Sequence, residues 1–429
     1  MSAAGAKPFA FPSAGGPRKP AARGSGRKKP AAPAGPELLL YLHVPFCRRK
    51  CHYCAFASSV PQSRQDLEDY GQYVLREISH WKRALPGHRA ATLYIGGGTP
   101  SLLPVPILEN ILFSLRKAFP FSEGMEISME ANPDSVADWE YIHGLLGLGV
   151  NRISLGVQSF DDKQLLRLGR PHSSRQALIA YELIRKAGFA NLSLDLMFGL
   201  PGQRLIHWLE TLKQAAGLRP DHLSCYGLTL EPGTLMERQA RELDMGFAPD
   251  EDQAKMFLYG ADYLEGQGYL HYEISNFARM GFACAHNMGY WEGRDYLGLG
   301  PSAVSTVAGR RWKNPPGLAE YARAVLGKRL AEEAEEITPA TRLRERVMLS
   351  LRTTRGLNLK EYAALAGSEL TATHRPLVQA LRQKELIRLS GGHLRLTKAG
   401  MLVSNTIIAH ILDRLPEPAT PAQEEGQGN

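Results

Sequence analysis

Tyr41-Leu42-His43-Val44-Pro45-Phe46-Cys47-Arg48-Arg49-Lys50-Cys51-His52-Tyr53-Cys54 is the stretch on which the reading of this chain turns. It continues the apolar run Leu38-Leu39-Leu40-Tyr41-Leu42, which has the length of a strand. Three thiols spaced four and three residues apart can converge from one loop on a single metal centre. Thiolate is the ligand that iron–sulfur and zinc centres prefer. Arg48, Arg49 and Lys50 would favour thiolates and offset the negative charge of a cluster. Three readings stand side by side. A four-iron cluster on three Cys leaves one iron open to a small molecule. A structural zinc needs a fourth ligand, which His43 or His52 could supply. Three unrelated thiols need no metal at all. With only five Cys in 429 residues, and three of them inside this loop, a secreted disulfide framework is excluded.

Outward from the loop, short apolar runs alternate with amphipathic segments. Strands are expected at 38–44, 92–95, 125–129, 152–156, 192–197 and 222–226. Helices are expected near 65–84, 104–118, 135–147, 174–187 and 203–217, with a further one near 250–266. Strands that are apolar on both faces and alternate with helices predict a parallel α/β sheet. Six units in this length predict an incomplete (β/α)6 barrel, because a full eight-unit barrel takes ~250 residues. Further helices near 338–352, 358–366 and 370–383 precede two short runs around Gly391-Gly392, a hairpin signal. Helices followed by a hairpin predict a winged-helix-like C-terminal domain.

The expected division is 1–36 as a disordered basic segment and 37–270 as the α/β core. Residues 271–336 form a connecting region, 337–412 the C-terminal domain and 413–429 a disordered tail. Residues 1–36 carry seven of the eight net positive charges and no acid. This composition fits a mitochondrial targeting segment. The rest is nearly neutral, so charge does not imply a nucleic-acid surface. No apolar run is long enough to span a membrane.

In a parallel α/β fold the chemistry sits at the C-terminal ends of the strands, and unusual residues recur there. Gly96-Gly97-Gly98-Thr99-Pro100-Ser101 follows the second strand. Consecutive glycines allow close backbone approach to a ligand, with N–H groups pointing at it. Glu130-Ala131-Asn132-Pro133 ends the third strand and Gly156-Val157-Gln158-Ser159 the fourth. Leu168-Gly169-Arg170 adds a cation able to pair with a ligand carboxylate. Asp195 lies in an apolar strand, where its charge needs a partner. Cys225 reads as a buried small hydrophobe, and Trp81, Trp139 and Trp208 as helix packing.

The CxxxCxxC loop after the first strand resembles the radical S-adenosylmethionine superfamily. The ordered set YxHxPFC, GGGTPS, EANP, GVQSF, LGR and DLMFGLPGQ resembles its branch of oxygen-independent coproporphyrinogen oxidases and haem chaperones. The resemblance covers about residues 38–410. It implies a [4Fe–4S] cluster on Cys47, Cys51 and Cys54, and S-adenosylmethionine bound to the remaining iron and cleaved to a 5′-deoxyadenosyl radical. It implies Tyr41, Tyr53, Gly97, Gly98, Thr99, Glu130, Gln158, Arg170 and Asp195 as its contacts. The oxidase pattern has a fourth Cys where this chain has Phe56, which turns the expectation towards a haem chaperone of mitochondrial type. Cys284-Ala285-His286-Asn287-Met288-Gly289-Tyr290-Trp291 resembles a haem-handling motif of that group. His286, Cys284, Tyr290 and Trp291 are therefore the candidate haem contacts. On its residues alone the motif also reads as a buried His–Asn pair beside core aromatics. Haem as cargo and haem-accepting proteins, respiratory ones among them, are the implied partners. The alternatives are a radical enzyme acting on a porphyrinogen or other tetrapyrrole, and a nucleic-acid-binding or -modifying protein.

Overall fold

The computed structural model describes residues 35–415 apart from Asp244. The terminal segments expected to be disordered lie, but for their inner ends, outside the described residues. Six parallel strands form the core: β1 (Glu37–Val44), β2 (Arg89–Gly97), β3 (Phe121–Ala131), β4 (Arg152–Gln158), β5 (Asn191–Phe198) and β6 (His222–Gly227). Each pairs in parallel with the next. The crossovers carry α1 (Arg64–Ala84), α2 (Val105–Ala118), α3 (Trp139–Gly147), α4 (Asp162–Arg167), α5 (Ser174–Lys186) and α6 (Leu205–Gly217). The incomplete (β/α)6 arrangement is therefore what forms. Leu38, Leu39, Leu40, Leu42 and Val44 are all buried, as a strand covered on both faces requires.

Local chemistry sets the helix starts. Asp138 accepts from Glu140 N at α3, and Ser173 with Gln176 makes a capping box at α5. The short helix α4, capped by Asp161, was not announced by periodicity because it has only six residues. Trp81 and Trp208 are buried as expected, but Trp139 is 45% exposed and rests edge-on against His143.

Beyond β6 come α7 (Leu235–Glu242) and α8 (Asp250–Gly266). Strands β7 (Leu270–Glu273) and β8 (Asn276–Ala278) then extend the β6 edge in antiparallel sense. The chain passes through α9 (Ala285–Trp291) to the opposite edge. There β9 (Tyr296–Leu299) lies parallel to β1. Strands β10 (Val304–Val307), β11 (Arg310–Lys313) and β12 (Glu335–Glu336) follow antiparallel. The strand order is β12-β11-β10-β9-β1-β2-β3-β4-β5-β6-β8-β7. Residues 271–336 are thus woven into the sheet rather than merely connecting. Their strands are at most four residues long, too short for periodicity to register. Buried Glu77 of α1 ties the returning chain down, accepting from Gly300 N at 2.8 Å, Asn314 Nδ2 at 2.7 Å and Tyr321 OH at 2.5 Å.

The C-terminal part has its own apolar core, including Leu343, Val347, Leu357, Tyr362 and Ile408. Its hairpin, β14 (Ile387–Ser390) and β15 (His393–Leu396), is completed by β13 (Leu357–Asn358). It is fastened to the β7 edge through Ile274 N to Arg352 O and Thr354 N to Tyr272 O, and to α8 by Lys398 between Asp262 and Glu265. Among the described residues no helix is long and apolar enough to cross a membrane.

Candidate cofactor site

The C-terminal ends of β1 to β6 surround a cavity of about 330 Å³. Cys47, Cys51 and Cys54 line it together with Tyr53, Gly97, Gly98, Thr99, Glu130, Gln158, Arg170 and Asp195. The structure thus brings together residues spread over 149 positions of sequence, most of them from strand ends and the loops after them, with Arg170 following α4 and Asp195 within β5. Burial pushes the Cys54 thiol up.

Of the two histidines offered for a zinc reading, His43 has both ring nitrogens engaged, and His52 has one engaged and its ring packed against Gly169. His43 Nε2 faces Ala57 O at 2.9 Å and its Nδ1 meets Tyr41 OH at 3.0 Å. His52 Nδ1 faces Arg167 O at 2.9 Å. Among the described residues no three His, Cys, Asp or Glu side chains close on a point as the ligands of one ion must. A four-iron cluster needs no such point, because each Cys binds its own iron. Three thiols without a fourth protein ligand, on a cavity with room beside them, fit a cluster and not a structural zinc.

The glycine-rich turn works differently from the sequence-based expectation. Its N–H groups do not point at a ligand. Gly97 N donates to Glu130 Oε2 at 3.0 Å, Gly98 N to Val44 O at 2.8 Å and Thr99 N to Phe46 O at 2.7 Å. These bonds lash the turn to the cysteine loop. A Cβ at Gly98 would stand 2.5 Å from Phe46 O and 3.0 Å from Cys47 Sγ. The glycine is required by that close approach, and Thr99 Oγ1 adds a 3.7 Å contact to Cys47 Sγ.

Arg170 is held from three sides. Its Nη2 donates to Asn132 Oδ1 and Gly156 O, both at 2.7 Å, and its Nη1 to Cys51 Sγ at 3.5 Å. The preceding Gly169 has φ +69°, and a Cβ there would run into the His52 ring at 2.6 Å. Short α4 therefore delivers Arg170 under the cysteine loop. Gln158 ends β4 at a register shift with φ +67°, a conformation that costs a non-glycine residue free energy and re-aims the strand end.

The two carboxylates are conditioned by burial. It pushes Glu130 up to about 7, against hydrogen bonds from Tyr94 OH at 2.8 Å and Gly97 N. Burial also raises Asp195, whose Oδ1 accepts from Ser154 Oγ at 2.9 Å and Ser193 Oγ at 3.4 Å. Those serines are the partners that an acid in an apolar strand demanded.

Tyr41 is the one expected contact that does not line this cavity. It lines a smaller inner cavity of about 150 Å³, with Tyr94, Arg152, Cys284, His286, Asn287 and Tyr290. Its hydroxyl orients His43, whose ring lies against Gly97. In this structure the Tyr41 hydroxyl thus serves to position His43.

The four candidate haem contacts do not make one site. His286 is 2% exposed, with Nδ1 on Thr92 Oγ1 at 2.7 Å and its ring stacked on Tyr94. Burial, with Arg152 beside it, lowers its pKa to about 3, so it is neutral. Cys284 is buried and caps α9, facing Glu126 Oε1 at 3.4 Å. Tyr290 stands edge-on to His286. Trp291 lines a separate cavity beside Arg346, Arg355 and His393 of the C-terminal domain. A ligand site for a molecule of drug size runs to ~300 Å³ or more. At about 150 Å³ the inner cavity is smaller than that by itself, and it shares Glu130, Ser154, Asp195 and Tyr226 with the larger one.

Sequence reading missed Tyr94, Ser154, Met197 and Tyr226 as lining residues, and the buried Arg152. Arg152 had a signal, a charge inside a strand, the same that singled out Asp195. Tyr94 and Tyr226 had none, since strand aromatics are ordinary core.

Residues 41–215 match the family model described as the radical SAM superfamily, and residues 337–403 that of the HemN C-terminal domain. The chain is 33% identical over 377 residues to the haem chaperone HemW of Bacillus subtilis, covering 87% of this chain and 99% of that protein. It is 41% identical over 273 residues to HemW of Escherichia coli, covering 63% and 71% respectively. Among solved structures, coproporphyrinogen III oxidase (HemN) of Escherichia coli, described as a radical SAM enzyme, superposes with a TM-score of 0.75. That match has 24% identity and covers 89% of this chain and 91% of that one. It shows the shared fold.

Proposed function

The chain belongs to the HemW family within the radical S-adenosylmethionine superfamily, and from that premise we propose that it is a haem chaperone, binding haem and passing it to acceptor proteins. The observation that carries this reading is the 33% identity running through nearly the whole of a haem chaperone. Phe56, where the oxidase pattern has its fourth Cys, points the same way.

Cys47, Cys51 and Cys54 would hold the [4Fe–4S] cluster, which, once reduced by an external one-electron donor, would supply the chemistry of reductive sulfonium cleavage. The chain's own part is to shape and screen that place. Arg170 sets a cation against the Cys51 sulfur. Gly97 and Gly98 keep the turn close against the loop. Glu130, Gln158 and Asp195 present polar groups along the cavity wall, and Tyr53 closes one side of it.

The test is an anaerobic haem titration of cluster-loaded protein followed by absorption. Saturable, stoichiometric binding is expected, with transfer to an apo-acceptor on mixing. Absence of saturable binding by protein that carries its cluster overturns the reading. A second reading, a radical enzyme acting on a porphyrinogen or other tetrapyrrole, is favoured by the completeness of the polar wall, Glu130, Gln158, Arg170 and Asp195. Anaerobic product formation with a reductant would establish it.

We further propose a mitochondrial location, with residues 1–36 as a transit peptide and respiratory proteins among the haem acceptors. The support is the acid-free basic composition of that segment. Fractionation of cells expressing the full chain, with and without residues 1–36, checks it. Indifference of the location to the deletion would refute it.

A further inference from the structure

Resting on the haem-chaperone reading, we propose that haem seats on the rim of the larger cavity, with its macrocycle against Phe56 and Tyr226 and its propionates towards Arg49 and Lys50, rather than on His286. All four rim residues line the same cavity. Phe56 is 67% exposed and Tyr226 42%, unusual for large apolar rings with no partner over them. Arg49 and Lys50 are exposed, and among the described residues neither has a carboxylate partner. Arg48, by contrast, is spent on Asp134, donating to its carbonyl at 2.9 Å.

Two more exposed apolar residues adjoin segments bonded to the cysteine loop, although neither lines the cavity. Half-exposed Val60 follows Ser59, whose carbonyl accepts from Cys47 N at 2.9 Å. Leu235, also open to solvent, precedes Met236, whose N–H donates to His52 O at 2.8 Å. Apolar rings with two unpaired cations at one edge complement a flat apolar disc that carries two carboxylates at one edge. A rim seat also suits transfer, because it leaves one face and the opposite edge of the cargo open to an acceptor. His286, 2% exposed on a cavity of about 150 Å³, presents far less open surface than the rim does.

The experiment uses the full chain with its cluster reconstituted, titrated anaerobically with haemin and followed by absorption. Four proteins are compared: wild type, Phe56→Ser, the double variant Arg49→Glu/Lys50→Glu, and His286→Gln. Iron and sulfide contents are measured on each. Phe56 lies outside the cysteine loop and projects into solvent, so Phe56→Ser should keep its cluster even if the double variant does not. The expected result is a Kd raised about tenfold or more by the rim substitutions, with His286→Gln within about threefold of wild type. Rim variants that keep their iron and bind haem as wild type does would overturn the proposal, as would loss of binding on His286→Gln alone. If the wild type itself fails to bind haem, the chaperone reading falls first and this seat with it.

Discussion

The larger cavity and the inner one share a wall: Glu130, Ser154, Asp195 and Tyr226 line both. On the outer side of that wall most polar groups are paired into a frame, Arg170 Nε excepted. Glu130 holds Gly97, Arg170 holds Asn132 and Cys51, and the backbone amides of the glycine turn hold the cysteine loop. On the inner side His286 Nε2 and Arg152 Nε are buried with no hydrogen-bond partner among the described residues. Unpaired groups in a small polar hole are what ordered water satisfies. The comparison teaches that a motif at a strand end marks proximity to the chemistry, while exposure decides whether a large ligand can arrive.

The comparison can be broken first at its largest effect. Replacing any one of Cys47, Cys51 or Cys54 by Ser should abolish stable cluster binding, read as loss of iron and of the broad visible absorption. Retention of full iron by a single variant would return the loop to the zinc or free-thiol reading. Gly98→Ala comes next. The added methyl must displace Phe46 O or the cysteine loop, so S-adenosylmethionine affinity should fall about tenfold or more, which is ~1.4 kcal/mol. An unchanged Kd by calorimetry would mean the turn can yield.

The inner side is tested through Glu126, which accepts from Ala285 N at 2.9 Å, His286 N at 3.1 Å and Cys284 Sγ. Glu126→Ala leaves the start of α9 without those partners and should cost about 2 kcal/mol in urea unfolding. S-adenosylmethionine binding should be spared if the two sides are independent. The smallest effect is a slope. Glu130 titrates near 7 when folded against 4.5 ordinarily, so the native state keeps a proton that the unfolded chain has already lost. The stability it contributes is complete below pH 4.5 and declines as pH rises to about 7. Glu130→Gln should remove that decline, on the order of 1 kcal/mol given the group's opening to the cavity. Parallel pH profiles of wild type and variant would place the carboxyl with the unperturbed groups.

Much of the outer side was legible in the sequence because its signals are local. A triplet of Cys, a run of Gly and an acid in an apolar strand each announce themselves within ten residues. The six parallel strands were legible for the same reason, as short apolar runs of four to seven residues. What was not legible depends on contacts across the chain. The strands between 270 and 336 are too short to show a period and exist through their neighbours. Nothing local in Cys284–Trp291 says that His286 faces inward while Trp291 faces another domain. The helix period does place residues five apart on different faces, but only the packing says which face is which.

The placement of β9 against β1 has a consequence for the chain as it leaves the ribosome. Strand β1 is among the earliest described elements to emerge, yet one of its two edges stays unpaired until Tyr296–Leu299 has been synthesised. At ~5–20 residues per second, that leaves Leu38–Leu42 as an open apolar edge for on the order of tens of seconds. The cysteine loop hangs from the end of that strand, so its final shape waits on late synthesis. A nascent chain stalled before residue 296 should be prone to aggregate and slow to accept iron.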